Sequence, residues 1–235
     1  MPESHVHIVK EYDDELHRLT SEIIRMGEIA ISQLGGAMDV LQRRDSHAAR
    51  RVIDNDVAID SLEHEVGQDV VRLLALRQPV ARDLREVMAA LRIASDIERI
   101  GDYAANAAKR SIALNESPAI ATVPGLNALA RIATDMLREV LLAYRDRDDV
   151  RAAIVRARDA ELDRMYTSLF RELLTYMAED PRSISSSIHV MFIAKNLERV
   201  GDHATNIAEN IWFIVHGSMP SDEREKGDMT AAPSR

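Results

Sequence analysis

The sequence predicts an all-α protein: six long helices arranged as two tandem three-helix bundles related by internal duplication. Three observations carry that prediction. Apolar residues recur at helical spacing over long windows, with no alternating strand-like runs. Hydrophobic residues make up 46% of the 235-residue chain but aromatics only 4%, so the core is aliphatic, a composition that suits helix packing better than sheet. And Ile93-Ala94-Ser95-Asp96-Ile97-Glu98-Arg99-Ile100-Gly101-Asp102-Tyr103-Ala104-Ala105-Asn106 recurs as Ile193-Ala194-Lys195-Asn196-Leu197-Glu198-Arg199-Val200-Gly201-Asp202-His203-Ala204-Thr205-Asn206.

The first helix is predicted over 11–43, from the stripe Ile23, Ile24, Ile31, Leu34, Met38 and Leu41. Arg44-Asp45-Ser46 breaks it, and the second helix is predicted over 46–77 from Val52, Ile59, Leu62, Val66, Val70 and Leu73. Arg77-Gln78-Pro79 introduces a third over 80–115. The stretch from Asn115 to Pro124-Gly125 separates a fourth over 124–145, Asp146 through Asp149 a fifth over 148–179, and Asp180-Pro181 a sixth over 182–216. Each break carries Asp, Ser or Pro, residues suited to helix starts. The chain before about residue 8 and after Gly217 is polar, so frayed ends are expected. The predicted domains are 8–117 and 118–217, one three-helix repeat each, followed by a disordered tail over 218–235.

The repeat extends outward, because Asp56-Val57-Ala58-Ile59-Asp60 on helix two corresponds to Asp159-Ala160-Glu161-Leu162-Asp163 on helix five. The candidate metal ligands follow from it. Asp56 and Asp60, Glu98 and Asp102, Asp159 and Asp163, and Glu198 and Asp202 are four i,i+4 carboxylate pairs, each on one helix face. Such pairs lie about 5–6 Å apart and repel. If helix two packs on three, and five on six, four carboxylates converge in each half and call for positive charge. Hard oxygen ligands suit Mg²⁺, Ca²⁺, Mn²⁺ or iron, singly or in clusters. Arg99 and Arg199 are expected to point about a hundred degrees away from their neighbours and so to relieve the repulsion little. The competing reading is a solvated acidic surface. Gly101 and Gly201, inside helices three and six, imply close approach of a neighbouring helix. Asn106 and Asn206, one turn along, either support the site or tie helices together, and His203 in place of Tyr103 is read as packed or solvated. His5 and His7 lie near the chain end and carry no functional metal role.

Several classes are excluded. There is no cysteine, hence no disulfide framework, thiolate metal site or cysteine nucleophile. With no apolar run long enough to span a bilayer and no secretory leader, a cytoplasmic protein is expected. The net charge of −9 opposes binding to nucleic acid. Inward Glu-x-x-His pairs, phosphate loops and hydrolase triads are lacking, so no enzyme is expected.

The strings Ile97-Glu98-Arg99-Ile100-Gly101-Asp102 and Leu197-Glu198-Arg199-Val200-Gly201-Asp202 resemble the signature of the PhoU family. So do Leu76-Arg77-Gln78-Pro79-Val80-Ala81-Arg82-Asp83-Leu84-Arg85 and Ile207-Ala208-Glu209-Asn210, over roughly residues 8 to 217. The resemblance implies paired three-helix bundles and a homodimer. It implies iron, zinc, magnesium or manganese bound through Glu98, Asp102, Glu198 and Asp202, with Asp56, Asp60, Asp159 and Asp163 as a second set. It also implies negative regulation of the phosphate regulon, linking a Pst-type ABC transporter ATPase to a PhoR-type sensor histidine kinase. A metal storage or buffering protein is the alternative. The exchanges His203 for Tyr103 and Asn196 for Asp96 are expected to make the two metal sites differ in detail.

Overall fold

The structure, a computed structural model, describes residues 3–117 and 123–221, without the side chains of residues 3–11 and 123. Among these residues there are helices and no strands. The first rod, α1 (Glu3–Arg43), starts ahead of the predicted residue 11, because the polar opening of the chain has no apolar period to betray a helix. The second rod is two helices, α2 (Ser46–Asp54) and α3 (Asp56–Arg77), interrupted at Asn55. Asp54, Asn55 and Asp56 are consecutive side chains that compete with the backbone for hydrogen bonds, and Ala58 N–H bonds back only three residues, to the Asn55 carbonyl at 3.1 Å. The remaining rods are α4 (Ala81–Asn115), α5 (Val123–Asp146), α6 (Asp149–Glu179) and α7 (Ile184–His216), the last two joined by a 3₁₀ turn at Pro181–Ser183.

Local chemistry sets the ends. Asp45 caps α2 by accepting from the backbone N–H groups of His47 and Ala48 at 3.0 and 2.9 Å, and Asp148 caps α6 from Arg151 N–H at 2.9 Å. Each aspartate follows an arginine in the left-handed region, Arg44 at φ 56° and Arg147 at φ 51°, so the duplication reaches into the hairpin turns. The Arg44 guanidinium also donates to the carbonyls of Leu114, Asn115 and Ser117, satisfying acceptors that the end of α4 would otherwise leave open. Gly217, at φ 78°, closes α7 by donating to the Phe213 carbonyl at 2.9 Å.

α1, α2–α3 and α4 pack together, as do α5, α6 and α7, and the two halves join most extensively along α4 and α7, with α1 meeting α5 as well. Ile93, Ile97, Ile100 and Ala104 on α4, and Ile193, Leu197, Val200 and Ala204 on α7, are fully buried in one continuous apolar core. Each buried Ile or Leu stabilises the fold by roughly 1.5–3 kcal/mol. The two copies of the repeated motif therefore form the spine of the molecule. The predicted boundary after residue 117 adjoins residues 118–122, which lie outside the described residues, as does the predicted tail from residue 222 onward and the His5 and His7 side chains.

Candidate metal centre

Gly101 and Gly201 bring the acidic faces together. A Cβ at Gly101 would stand 2.8 Å from Ile59 Cδ1 and 3.2 Å from Asp56 Oδ1, so α3 crosses α4 at this point with Asp56 directly over the helix. At Gly201 a Cβ would collide with Leu162 Cδ2 and stand 3.3 Å from Asp159 Oδ1, the corresponding arrangement of α6 on α7. Two mid-helix glycines, each costing about 1 kcal/mol relative to Ala, are thus explained by close helix approach.

In the first half, burial pushes the Asp56 carboxyl above its usual range, and the charges of Asp60 and Asp102 push it further. Glu98 is raised by burial and then by Asp102, Asp60 and Glu63, with Arg99 opposing. Asp56, Asp60, Glu98 and Asp102 are therefore close enough to feel one another across the two helices. In the second half Asp159 and Asp163 are buried, and Glu198 is 5% exposed. Glu198 is raised by burial, relieved by Lys195, and raised again by Asp202 and Asp163. The second acidic face lies deeper than the first, where Asp60 is exposed and Asp56, Glu98 and Asp102 are half-buried.

Two sequence expectations need correction. Arg99 does not point away: its Nη1 donates to Asp102 at 3.0 Å and its Nε lies 3.5 Å from Glu98. A three-methylene side chain reaches along the helix to the third residue, which the direction of Cβ alone does not reveal. Arg199, by contrast, stands over the Tyr103 ring, 5.8 Å from its centroid. Nor do the exchanges at 96 and 103 bear on the acidic faces. His203 Nδ1–H donates to Asp96 Oδ1 at 2.7 Å, Asn206 Nδ2 donates to the same oxygen at 3.2 Å, and His203 Nε2 lies 3.3 Å from the Tyr103 hydroxyl. These residues tie α4 to α7. Asn206 is a helix tie, and Asn106 is exposed.

Sequence reasoning missed Gln33, Glu63 and Lys195. Gln33 is 5% exposed, its Oε1 would stand 3.2 Å from a Cβ at Gly101, and its amide lies against Asp56, where it favours the charged carboxylate. A polar residue inside the apolar stripe of α1 was the available signal. Lys195 Nζ donates to Glu198 Oε1 at 2.7 Å, while Glu198 Oε2 is buried without a hydrogen-bond partner.

The donor set fits a hard cation in charge and chemistry: clustered carboxylates, of which Asp56, Glu98 and Glu198 are raised by burial and by neighbouring charge, and a buried Glu198 oxygen without a hydrogen-bond partner. It is not a finished cage. Among the described residues no three His, Asp or Glu side chains already stand in a coordinating arrangement, so cation binding would require rotamer changes on the two faces.

A family model described as the PhoU domain matches residues 23–111 and again residues 126–211. A phosphate-specific transport system accessory protein PhoU homolog of Xylella fastidiosa strain 9a5c is 59% identical over 225 residues, spanning 96% of this chain and 95% of that one. The homolog of the same description from Rhizobium meliloti is 46% identical over 229 residues, 97% of both. Among solved structures, PhoU from Pseudomonas aeruginosa superposes with a TM-score of 0.85 at 36% identity, over 88% of this chain and all (100%) of that one. The phosphate transport system regulatory protein PhoU from Streptococcus pneumoniae gives 0.83 at 27% identity, over 89% and 99%.

Proposed function

The chain belongs to the PhoU family, and from that premise we propose that it is an accessory regulator of phosphate-specific transport that binds metal ions and represses the phosphate regulon. Its relatives are named as accessory and regulatory proteins, not as enzymes. The observation that supports a metal-dependent regulator is the pair of acidic faces, α3 on α4 and α6 on α7, each drawn together at a glycine against the repulsion of its own carboxylates.

Asp56, Asp60, Glu98 and Asp102 would hold metal in the first half, and Asp159, Asp163, Glu198 and Asp202 in the second. A bound hard cation supplies positive charge that offsets the repulsion and fixes the register of the paired helices. No helix among the described residues is long and apolar enough to cross a membrane, so a cytoplasmic protein would reach the membrane through its partners. Those partners are proposed to be the ATPase of a Pst-type phosphate transporter and a PhoR-type sensor kinase, engaged by a homodimer whose rigid acidic surface meets their basic faces.

Deletion of the gene tests the regulatory half of this reading: phosphate-starvation genes should be expressed in rich phosphate, and normal repression there would refute it. Complementation with Asp102→Asn plus Asp202→Asn then asks whether metal matters to repression, with elemental analysis of the purified variant as the parallel readout. Many ions per chain together with normal repression in the deletion strain would instead mark a metal-buffering protein.

A further inference from the structure

The two halves differ where the duplication is otherwise faithful. Ser95 in the first half corresponds to Lys195 in the second, and with the register that pairs Asp56 with Asp159, Glu63 corresponds to Tyr166. The two exchanges act together. Lys195 Nζ donates to the buried Glu198 at 2.7 Å and stands 5.0 Å from the centroid of the Tyr166 ring, itself only 5% exposed. Cation–π attraction and the ion pair hold the ammonium against the acidic face. In the first half the same two places hold a hydroxyl and a further carboxylate, and the Glu63 charge acts on Glu98. Five carboxylates with no ammonium bonded among them thus stand against four carboxylates with one, carried on a side chain that is 37% exposed. The cations near the first face are at its rim: Arg99, whose side chain is 55% exposed, and Lys109, exposed, whose attraction on Asp56 is weaker than the repulsion from Asp60 and Asp102. In water such rim charges are screened and swing away cheaply. The second half has Arg156 at its margin, paired with Glu209 at 3.2 Å.

Resting on the metal-binding reading above, we propose that the two sites are unequal: the first half is the high-affinity metal site, and in the second half Lys195 occupies the place of a cation and must be displaced before metal enters. A metal ion approaching Glu198 competes with an ammonium bonded to it at 2.7 Å, whereas one approaching Glu98 meets a face neutralised only at its rim by Arg99, with the buried Gln33 amide beside Asp56. Lys195 is then a built-in competitor, and the second site loads only at higher metal concentration.

The test is equilibrium binding of Mn²⁺ to metal-depleted protein, with free Mn²⁺ read by electron paramagnetic resonance. The wild-type chain should show two classes of site separated by a factor of about ten or more, the worth of one charge-assisted hydrogen bond. Lys195→Ser should tighten the weak class about tenfold and leave the tight class alone. Lys195→Arg, which keeps the charge, should leave the weak class weak, separating charge from packing. Ser95→Lys should weaken the tight class. Circular dichroism of each variant establishes that it is folded. Two classes of equal affinity, or Lys195→Ser acting on the tight class, would overturn the inequality while leaving metal binding intact. No Mn²⁺ uptake by any variant would overturn the metal reading and the inequality with it.

Discussion

Alanine at three mid-helix glycines separates the space that each helix crossing needs from the intrinsic penalty of glycine. Gly67 in α3 has nothing within 4 Å of an added Cβ, so Gly67→Ala collects the full helix propensity and should stabilise by about 0.5–1 kcal/mol. Gly201→Ala gains the same propensity but drives its methyl into Leu162, which is completely buried and cannot move aside freely. Overpacking of that kind costs roughly 1–3 kcal/mol, leaving a net loss of about 0–2 kcal/mol. Gly101→Ala meets Ile59 Cδ1 at 2.8 Å, a milder collision with the tip of a side chain, and should fall between the other two. For a chain of this size 1 kcal/mol moves the thermal midpoint by about 2–4 °C, so the order Gly67→Ala above wild type above Gly201→Ala is resolvable by scanning calorimetry and urea melts with unchanged m-value. If Gly201→Ala were as stabilising as Gly67→Ala, the close approach of α6 to α7 would not be what selects glycine there, and the positioning of Asp159 over α7 would lose its explanation.

The pH dependence of metal-depleted protein has a defined sign. Asp56, Glu98 and Glu198 are raised in the native state, so their strain is relieved as pH falls through their native values toward the ordinary carboxylate range, and is restored as pH rises. The thermal midpoint should therefore rise modestly on going from about pH 7 to about pH 5. Below that range the lowered carboxyls of Asp45 and Asp180, which accept backbone N–H bonds at helix starts, lose their contribution and reverse the trend. Saturating Mn²⁺ should flatten the rise, and a midpoint that only falls with acidification would contradict the placement of the acidic faces. Asp96→Ala should cost about 1–2 kcal/mol in urea melts, because His203 and Asn206 lose one shared acceptor, and a double-mutant cycle with His203→Ala should show coupling of roughly 0.5–1.5 kcal/mol. Additivity of the two changes would mean that this junction holds nothing together. Arg44→Ala should cost about 1–2 kcal/mol by leaving the last carbonyls of α4 without a donor, and Arg44→Lys should restore only part of it.

Helix periodicity and the repeated motif made the rods, their order and the correspondence of the two halves readable, because both are properties of spacing along one chain. The interruption at Asn55 was written in three consecutive Asx residues but overridden by the strong apolar stripe on either side. The acidic pairs were readable for the same reason as the helices: an i,i+4 spacing fixes a face whatever lies opposite. What lies opposite was not readable. Arg99 could be placed by its Cβ direction only, and its long side chain folds back on Glu98 and Asp102. Lys195 could have been noticed as the cation gained within the repeat, but its distance to Glu198 and the ring beneath it come from the folding of α6 against α7. His203 and Asp96 belong to different halves, and no spacing rule connects residues on separate rods.

The position of Asp96 relative to Glu98 bears on how the halves are joined. Successive residues turn about 100° around a helix, so Asp96 and Tyr103 share a face of α4 to within about 20°, Glu98 and Asp102 share another to within about 40°, and Asp96 and Glu98 lie about 200° apart. One rod thus presents its acidic face to α3 and its polar tie to α7, with Ile93, Ile97 and Ile100 packed into the core between them. A close-packed rod of this kind moves as a unit, since neighbouring side chains leave no slack to absorb a shift. Charge placed between α3 and α4 therefore acts on a helix whose opposite side is bonded to α7, and α7 in turn carries the second acidic face. The Asp96 tie adds to the apolar packing that already joins α4 to α7.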